Sequence, residues 1–157
     1  MLNIDIICVG KLKEKFFAAA CDEYKKRLGV YCRLNICELA ETPASGAGEV
    51  ARALAEEGAR ISAKIPKDAY LICMCIEGSE LSSEELSKKL EGLKCSGRSR
   101  LCFVIGGSNG IDETVKSRAD LKLSMSRMTF PHHLARVMVL EQIYRAFKIE
   151  EGSGYHK

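Results

Sequence analysis

The sequence predicts one α/β domain built around a parallel sheet, and three observations carry that expectation. Short apolar runs alternate with helix-periodic segments along the whole chain. The runs Tyr70 to Ile76 and Leu101 to Ile105 are apolar without alternation, as strands covered on both faces should be. A chain of 157 residues, 46% hydrophobic and 29% charged, suits a single core.

Ile4 to Val9 is a mostly apolar run closed by Gly10, and from about Glu14 to Leu28 the residues Phe16, Phe17, Ala20, Tyr24 and Leu28 recur at helical spacing. These form a first strand and an amphipathic helix. From Val30, apolar Val30, Cys32, Leu34 and Ile36 alternate with Tyr31, Arg33 and Asn35, which predicts a strand nearer the sheet edge. Thr42 to Gly48 is rich in small and turn-forming residues, and Glu49 to Lys64 is an alanine-rich helix stopped by Pro66. After the Tyr70 to Ile76 strand, Ser82 or Ser83 with Glu85 or Leu86 opens a helix reaching about Leu93. Leu101 to Ile105 follows as a strand, then a short helix from Asp112, a brief strand at Leu121 to Ser124, a long helix from Pro131 to about Glu150, and a polar tail, 151–157.

Composition removes several function classes. The longest purely apolar run, Leu71 to Ile76, is far short of the roughly 18 residues a membrane span needs. The Ile4 to Val9 run contains Asp5 and has neither a basic segment before it nor a small-residue cleavage site after it, so it does not read as a signal peptide, and a cytoplasmic address is expected. None of the eight cysteines forms a C-x-x-C pair; Cys8, Cys73, Cys75 and Cys102 lie inside apolar runs, as small buried hydrophobes do in a reducing compartment. The net charge of +3 is unevenly spread. Residues 11–33 hold seven basic against three acidic groups and residues 98–157 ten against six, while residues 34–97 hold seven against eleven. The two basic segments are either solvated faces or, if they meet in space, a patch able to neutralise phosphates.

In an open parallel sheet ligands sit outside the carboxyl ends of the strands, where loops diverge and helix N-termini point inward. Unusual residues stand at three such ends: Ile76-Glu77-Gly78, Ile105-Gly106-Gly107-Ser108-Asn109-Gly110, and the sulfur-rich Ser124-Met125-Ser126-Arg127-Met128-Thr129-Phe130-Pro131. The glycine stretch lacks the G-K-[ST] of a phosphate loop and is an incomplete dinucleotide fingerprint, so alone it reads as a tight turn. Arg127 alone reads as a surface cation. Adjacent His132 and His133 cannot share a helix face, which argues against a metal pair and for a capping or surface role, with Pro131 at the first helical position. Leu134, Val137, Met138, Leu140, Ile143, Tyr144 and Phe147 cover too wide a face for an ordinary surface helix, so that helix is central to the core or also buries a partner. The tail ends on an aromatic, an imidazole and a cation, which makes it a candidate for a site.

The combination of F-V-I-G-G-S-N-G at 103–110, L-S-M-S-R-M-T-F-P-H at 123–132, E-Q-I-Y-R-A at 141–146 and Y-H-K at 155–157, with Ile7-Cys8-Val9-Gly10-Lys11-Leu12-Lys13 near the start, resembles the RlmH family. These are 23S rRNA pseudouridine-1915 N3-methyltransferases of the SPOUT class, and the resemblance covers essentially the whole chain. It implies an α/β fold whose C-terminal part is threaded as a trefoil knot, a homodimer, and S-adenosylmethionine as cofactor. Matched position by position, the cofactor residues are Met74, Gly106, Met125, Ser126, Arg127, Met128, Thr129 and Phe130. Many relatives read Leu-Asp where this chain has Met74-Cys75, so no acidic group is assumed at Cys75.

A sulfonium methyl is already electrophilic, so the protein has to align the nucleophile and relieve it of a proton. The imide N3–H of pseudouridine is a weak acid, and a base or a cation beside the uracil anion would help. The resemblance thus makes His156 the base or proton-path residue, Tyr155 its stacking or hydrogen-bonding neighbour, and Arg145 or Arg127 the cation for developing oxyanion charge. The implied partner is 23S rRNA in the ribosome, with Lys11, Lys13, Lys15, Lys25, Lys26 and Arg27 as phosphate contacts. No metal and no membrane are expected. The rival readings are a non-catalytic ribosome-binding factor of the same fold and a nucleotide-phosphate enzyme, the latter lacking its motif.

Overall fold

The computed structural model describes all 157 residues. Five strands form one sheet: β1 (Leu2–Val9), β2 (Cys32–Leu39), β3 (Tyr70–Glu80), β4 (Arg100–Ile105) and β5 (Leu121–Ser124), in the order β2-β1-β4-β3-β5 and parallel throughout. The helices are α1 (Lys15–Leu28), α2 (Ala47–Lys64), α3 (Ser83–Cys95), α4 (Glu113–Lys116) and α5 (His132–Glu150).

Because side chains of a strand alternate faces, each central strand feeds two cores. Ile4, Ile6, Cys8, Leu101, Phe103 and Ile105 point into a core shared with α1, α3 and α5, whereas Ile7, Val9, Cys102 and Val104 point into a second one shared with Ile61 of α2 and Val115 of α4. The result is three layers, with each fully buried Ile or Leu contributing about 1.5–3 kcal/mol. Two-sided burial accounts for the uninterrupted apolar runs of β3 and β4. Within this interior Asp5 is satisfied across neighbouring strands by Arg100 Nε at 2.8 Å and Asn35 Nδ2 at 3.1 Å.

α5 packs against both α1 and α3, so its wide apolar face is largely core. The packing also brings the two basic segments alongside each other. The chain enters α5 only after β5 has paired outside β3, a route consistent with the threaded path expected of this topology.

Four local expectations shift. β2 begins at Cys32 rather than Val30, because Tyr31 N–H still bonds to the Leu28 carbonyl at 2.9 Å and leaves Val30 exposed. β3 runs on to Glu80: its pairing with β5 is interrupted between Met74 and Ser79, both of which stand opposite Leu123, so Cys75 to Gly78 form an excursion from the sheet. Gly78 is needed there, since a Cβ would lie 2.7 Å from the Lys122 carbonyl carbon. Pro131 is the N-cap of α5 instead of its first helical residue. Cys75, expected among the buried thiols, is only half-buried, whereas Cys8, Cys73 and Cys102 are buried; Cys95 is exposed, and all eight thiols are free.

Candidate active site

The carboxyl ends of β3, β4 and β5 open on one cleft of about 1070 Å³. Its walls are Met74 with Cys75, Ile76 and Glu77 of the excursion, the glycine turn, and the loop after β5, with Ala51 and Leu54 of α2 on one side and His132 and Ala135 of α5 on another. The glycine turn is tight for a structural reason. Gly107 and Gly110 form an antiparallel bridge, and at buried Gly106 a Cβ would meet the Gly110 carbonyl carbon at 2.5 Å and Ile111 Cγ1 at 2.9 Å. Only a residue without a side chain lets these backbones approach. Ser108, through its hydroxyl and its N–H, donates to Glu41 at 2.8 and 3.3 Å, which holds the turn to the segment after β2 and keeps the Glu41 carboxyl below its ordinary pKa.

The loop after β5 is shaped by its own serines. Ser124 Oγ donates to the Ser126 carbonyl at 2.9 Å, and Ser126 Oγ accepts from Met128 N–H at 3.0 Å. Met74, Gly106, Met125, Ser126, Met128, Thr129 and Phe130 all line the cleft. Arg127 does not; it is exposed on the same loop. At the polar corner Lys116 Nζ pairs with Glu77 at 2.5 Å and Glu113 at 3.5 Å, which lowers the Glu77 pKa and raises that of Lys116. Cys75 lies in the wall with its thiol pKa raised by burial, a neutral group.

The three tail-associated residues come together elsewhere. Arg145 donates from Nε and Nη2 to Glu141 Oε1 at 3.0 and 2.6 Å, and its guanidinium lies over the Tyr155 ring at 4.8 Å. Tyr155 OH donates to the same oxygen at 3.2 Å. Burial chiefly, and the nearby Tyr24 and Glu141, push the Tyr155 phenol up to about 12. His156 stands between Arg145 Nη1, 3.2 Å from Nδ1, and Glu84 Oε1, 2.8 Å from Nε2. None of these five residues lines the cleft.

Glu141 could have been suspected from its position four residues before Arg145, a spacing that pairs charges on a helix. Glu84 had no local signal, being 72 residues from His156. Arg136 was likewise missed. It is 2% exposed, pairs with Glu38 at 2.6 Å and donates to the Gly10 carbonyl at 2.9 Å, thereby tying the start of α5 to the ends of β1 and β2.

His132 and His133 do touch, with ring centroids 4.2 Å apart, and His132 is half-buried in the cleft wall with its pKa lowered by burial; neither is merely on the surface. No group of three or more His, Cys, Asp or Glu is placed to hold a metal ion, and no helix is long and apolar enough to cross a membrane. Lys11, Lys13, Lys15 and Lys26 are exposed without an ion-pair partner, while Lys25 and Arg27 pair with Asp22 and Glu23 of their own helix.

The three-layer α/β domain opens a glycine-walled cleft at its strand ends, and the family model for predicted SPOUT methyltransferases matches residues 2–156. The chain belongs to the SPOUT methyltransferase family. It is 48% identical over 159 aligned positions to a "Ribosomal RNA large subunit methyltransferase H" of Clostridioides difficile, and 50% and 48% identical to proteins of that name from Clostridium botulinum and Bifidobacterium adolescentis. Each alignment covers 99% of this chain and 100% of the relative. Among solved structures, a probable methylase family protein from Haemophilus influenzae matches with a TM-score of 0.55 at 15% identity, over 96% of this chain and 67% of that one, a likeness of fold.

Proposed function

We propose that the protein transfers a methyl group from S-adenosylmethionine to N3 of a pseudouridine in large-subunit ribosomal RNA. The observation that carries this reading is the convergence of the three strand-end loops on one cleft, in a chain whose relatives along its full length are named as large-subunit rRNA methyltransferases. The cleft suits the cofactor. Its volume is ample for a nucleoside with a short side chain, its walls are largely glycine, methionine and other apolar groups, and the bare backbone at Gly106 permits close approach. When bound, the cofactor supplies an electrophilic methyl. Met74, Gly106, Met125, Ser126, Met128, Thr129 and Phe130 would hold it, and Arg127, exposed outside the wall, would instead serve RNA.

The chain's own residues then handle substrate and proton. Tyr155 flanks the base, Arg145 offsets charge developing on a uracil oxygen, and His156 takes the N3 proton. Arg145 lies 13 residues beyond His132 on α5, about 20 Å along the helix at 1.5 Å per residue. A cluster that far from its own cleft can serve a cleft only across a subunit boundary, so the working unit is a homodimer in which one protomer's tail cluster faces its partner's cofactor. The unpaired Lys11, Lys13, Lys15 and Lys26 provide phosphate contacts, with the assembled ribosome completing the binding surface in the cytoplasm.

The test is methyl transfer from labelled S-adenosylmethionine to ribosomes lacking this modification, followed by mass mapping of the nucleoside. Label at N3 of a pseudouridine supports the reading. No label from folded, cofactor-binding protein refutes it and favours a non-catalytic ribosome-binding factor.

A further inference from the structure

We propose that Glu84 is a positioning residue for His156, fixing the imidazole in the neutral tautomer that carries its proton on Nε2 and leaves a lone pair on Nδ1. The proposal rests on the role given to His156 above. A guanidinium has donors and no acceptor, so Arg145 Nη1, 3.2 Å from Nδ1, makes an attractive contact only if Nδ1 is bare. The ring proton must then sit on Nε2, and Glu84 Oε1 accepts it at 2.8 Å. The opposite tautomer would set an N–H against a guanidinium N–H and a lone pair against a carboxylate. Two independent contacts therefore select one state.

Glu84 is well anchored for this task. It lies in the first turn of α3, where Ser82 and Glu85 form a reciprocal capping box. Ser83 Oγ donates to Gln142 Oε1 and Ser87 Oγ to the Ala146 carbonyl, each at 2.7 Å, so the start of α3 is clamped to the turns of α5 that carry Glu141 and Arg145. The His156 hydrogen bond is the main reason that the Glu84 carboxyl is pulled down to about 2, which keeps it an acceptor across the working pH range.

The tautomer matters for proton balance. As the N3 lone pair forms the bond to the methyl carbon and the carbon–sulfur bond breaks onto sulfur, the N3 proton passes to Nδ1. The new imidazolium keeps its Nε2–H on Glu84, which offsets its charge. Arg145 has to leave Nδ1 for this transfer, and doing so frees it to meet the uracil oxygen. In the other tautomer the basic nitrogen would face Glu84 and be closed to substrate.

The experiment uses full-length protein labelled with 15N-histidine, in which two-bond nitrogen–proton correlations separate bare from protonated ring nitrogens. There are three histidines, and a His156→Gln sample identifies the resonances of His156. Recorded above the pH at which its resonances stop moving with added base, His156 is expected as a single tautomer with Nδ1 bare. Glu84→Gln keeps that state because its amide oxygen still accepts; Glu84→Ala yields a tautomer mixture. Turnover on ribosomes follows the same order, with Glu84→Ala losing about 10²-fold, mainly in kcat, and Glu84→Gln recovering a large part of it. A bare Nε2 in the wild-type protein, or a Glu84→Ala tautomer unchanged from wild type, overturns the inference. Undiminished turnover in His156→Gln instead refutes the catalytic role of the tail, whatever the tautomer. Because Glu84 is half exposed, matched thermal melts are expected for both Glu84 variants.

Discussion

Gly106→Ala is the perturbation whose size the structure defines best. A Cβ at this position would stand 2.5 Å from the Gly110 carbonyl carbon and 2.9 Å from Ile111 Cγ1, against an ordinary contact of 3.4 Å or more, so the turn must open by about 1 Å. The obstacle is backbone within a bridged turn and cannot rotate away. Overpacking of this kind costs about 1–3 kcal/mol, and the upper half of that range applies where backbone must move. At about 2–4 °C per kcal/mol for a chain of this size, the melting temperature should fall by about 4–12 °C. Opening the turn also displaces a wall of the cofactor cleft, and a 1 Å error in positioning is worth about 10²-fold in rate. The assay pairs thermal or urea unfolding with calorimetric binding of S-adenosylmethionine. Gly92→Ala is the internal control: nothing lies within 4 Å of its added Cβ and the site is inside α3, so it should be neutral or stabilising by up to about 1 kcal/mol without affecting binding. If Gly106→Ala melts with the wild type and binds cofactor equally well, the argument that close backbone approach builds this site is wrong.

Glu38→Ala leaves the buried Arg136 guanidinium without its carboxylate and should destabilise the protein by about 3 kcal/mol, the low end for a broken buried pair because Glu38 is itself partly exposed; a urea midpoint equal to wild type would contradict it. Burial pushes Cys8, Cys73 and Cys102 up to about 12, so a disulfide reagent at pH 8 should modify Cys95 rapidly and these three only on unfolding, as mass mapping of the labelled peptides can check. Tyr155 favours its neutral form in the fold. Its contribution to stability is present below the ordinary phenol pKa near 10 and is lost as pH rises through about 12, so a Tyr155→Phe difference titration at 295 nm with a midpoint near 10 would count against the burial of this phenol in the folded chain. Removing Tyr155 to Lys157 should abolish turnover while sparing cofactor binding; unchanged turnover would exclude the tail from the reaction.

The candidate cleft was legible in the sequence because its parts are local. Glycines between an apolar run and a helix, and a serine- and methionine-rich loop before Pro131, mark strand ends by turn chemistry within a few residues. The Cys75 to Gly78 excursion was not legible, since it depends on β5 pairing twice with β3, and pairing partners are set by packing rather than by either strand's pattern. The tail cluster was half legible: Tyr155, His156 and Arg145 stood out as residue types, but nothing local could show that their partners are Glu141 and Glu84.

The string of residues already distinguishes strands from helices, through short apolar runs, alternating or unbroken, and a 3.6 period that reflects where side chains point, and it marks which strand ends carry unusual loops. The tertiary structure decided that β4 lies between β1 and β3, that a buried Arg136 joins α5 to the ends of β1 and β2, and that Glu84 meets His156 across 72 residues of chain. Periodicity is a property of a segment and survives in the one-dimensional string. The pairing of distant charges and strands depends on which arrangement buries the apolar faces of all ten elements at once, and so exists only in the folded chain.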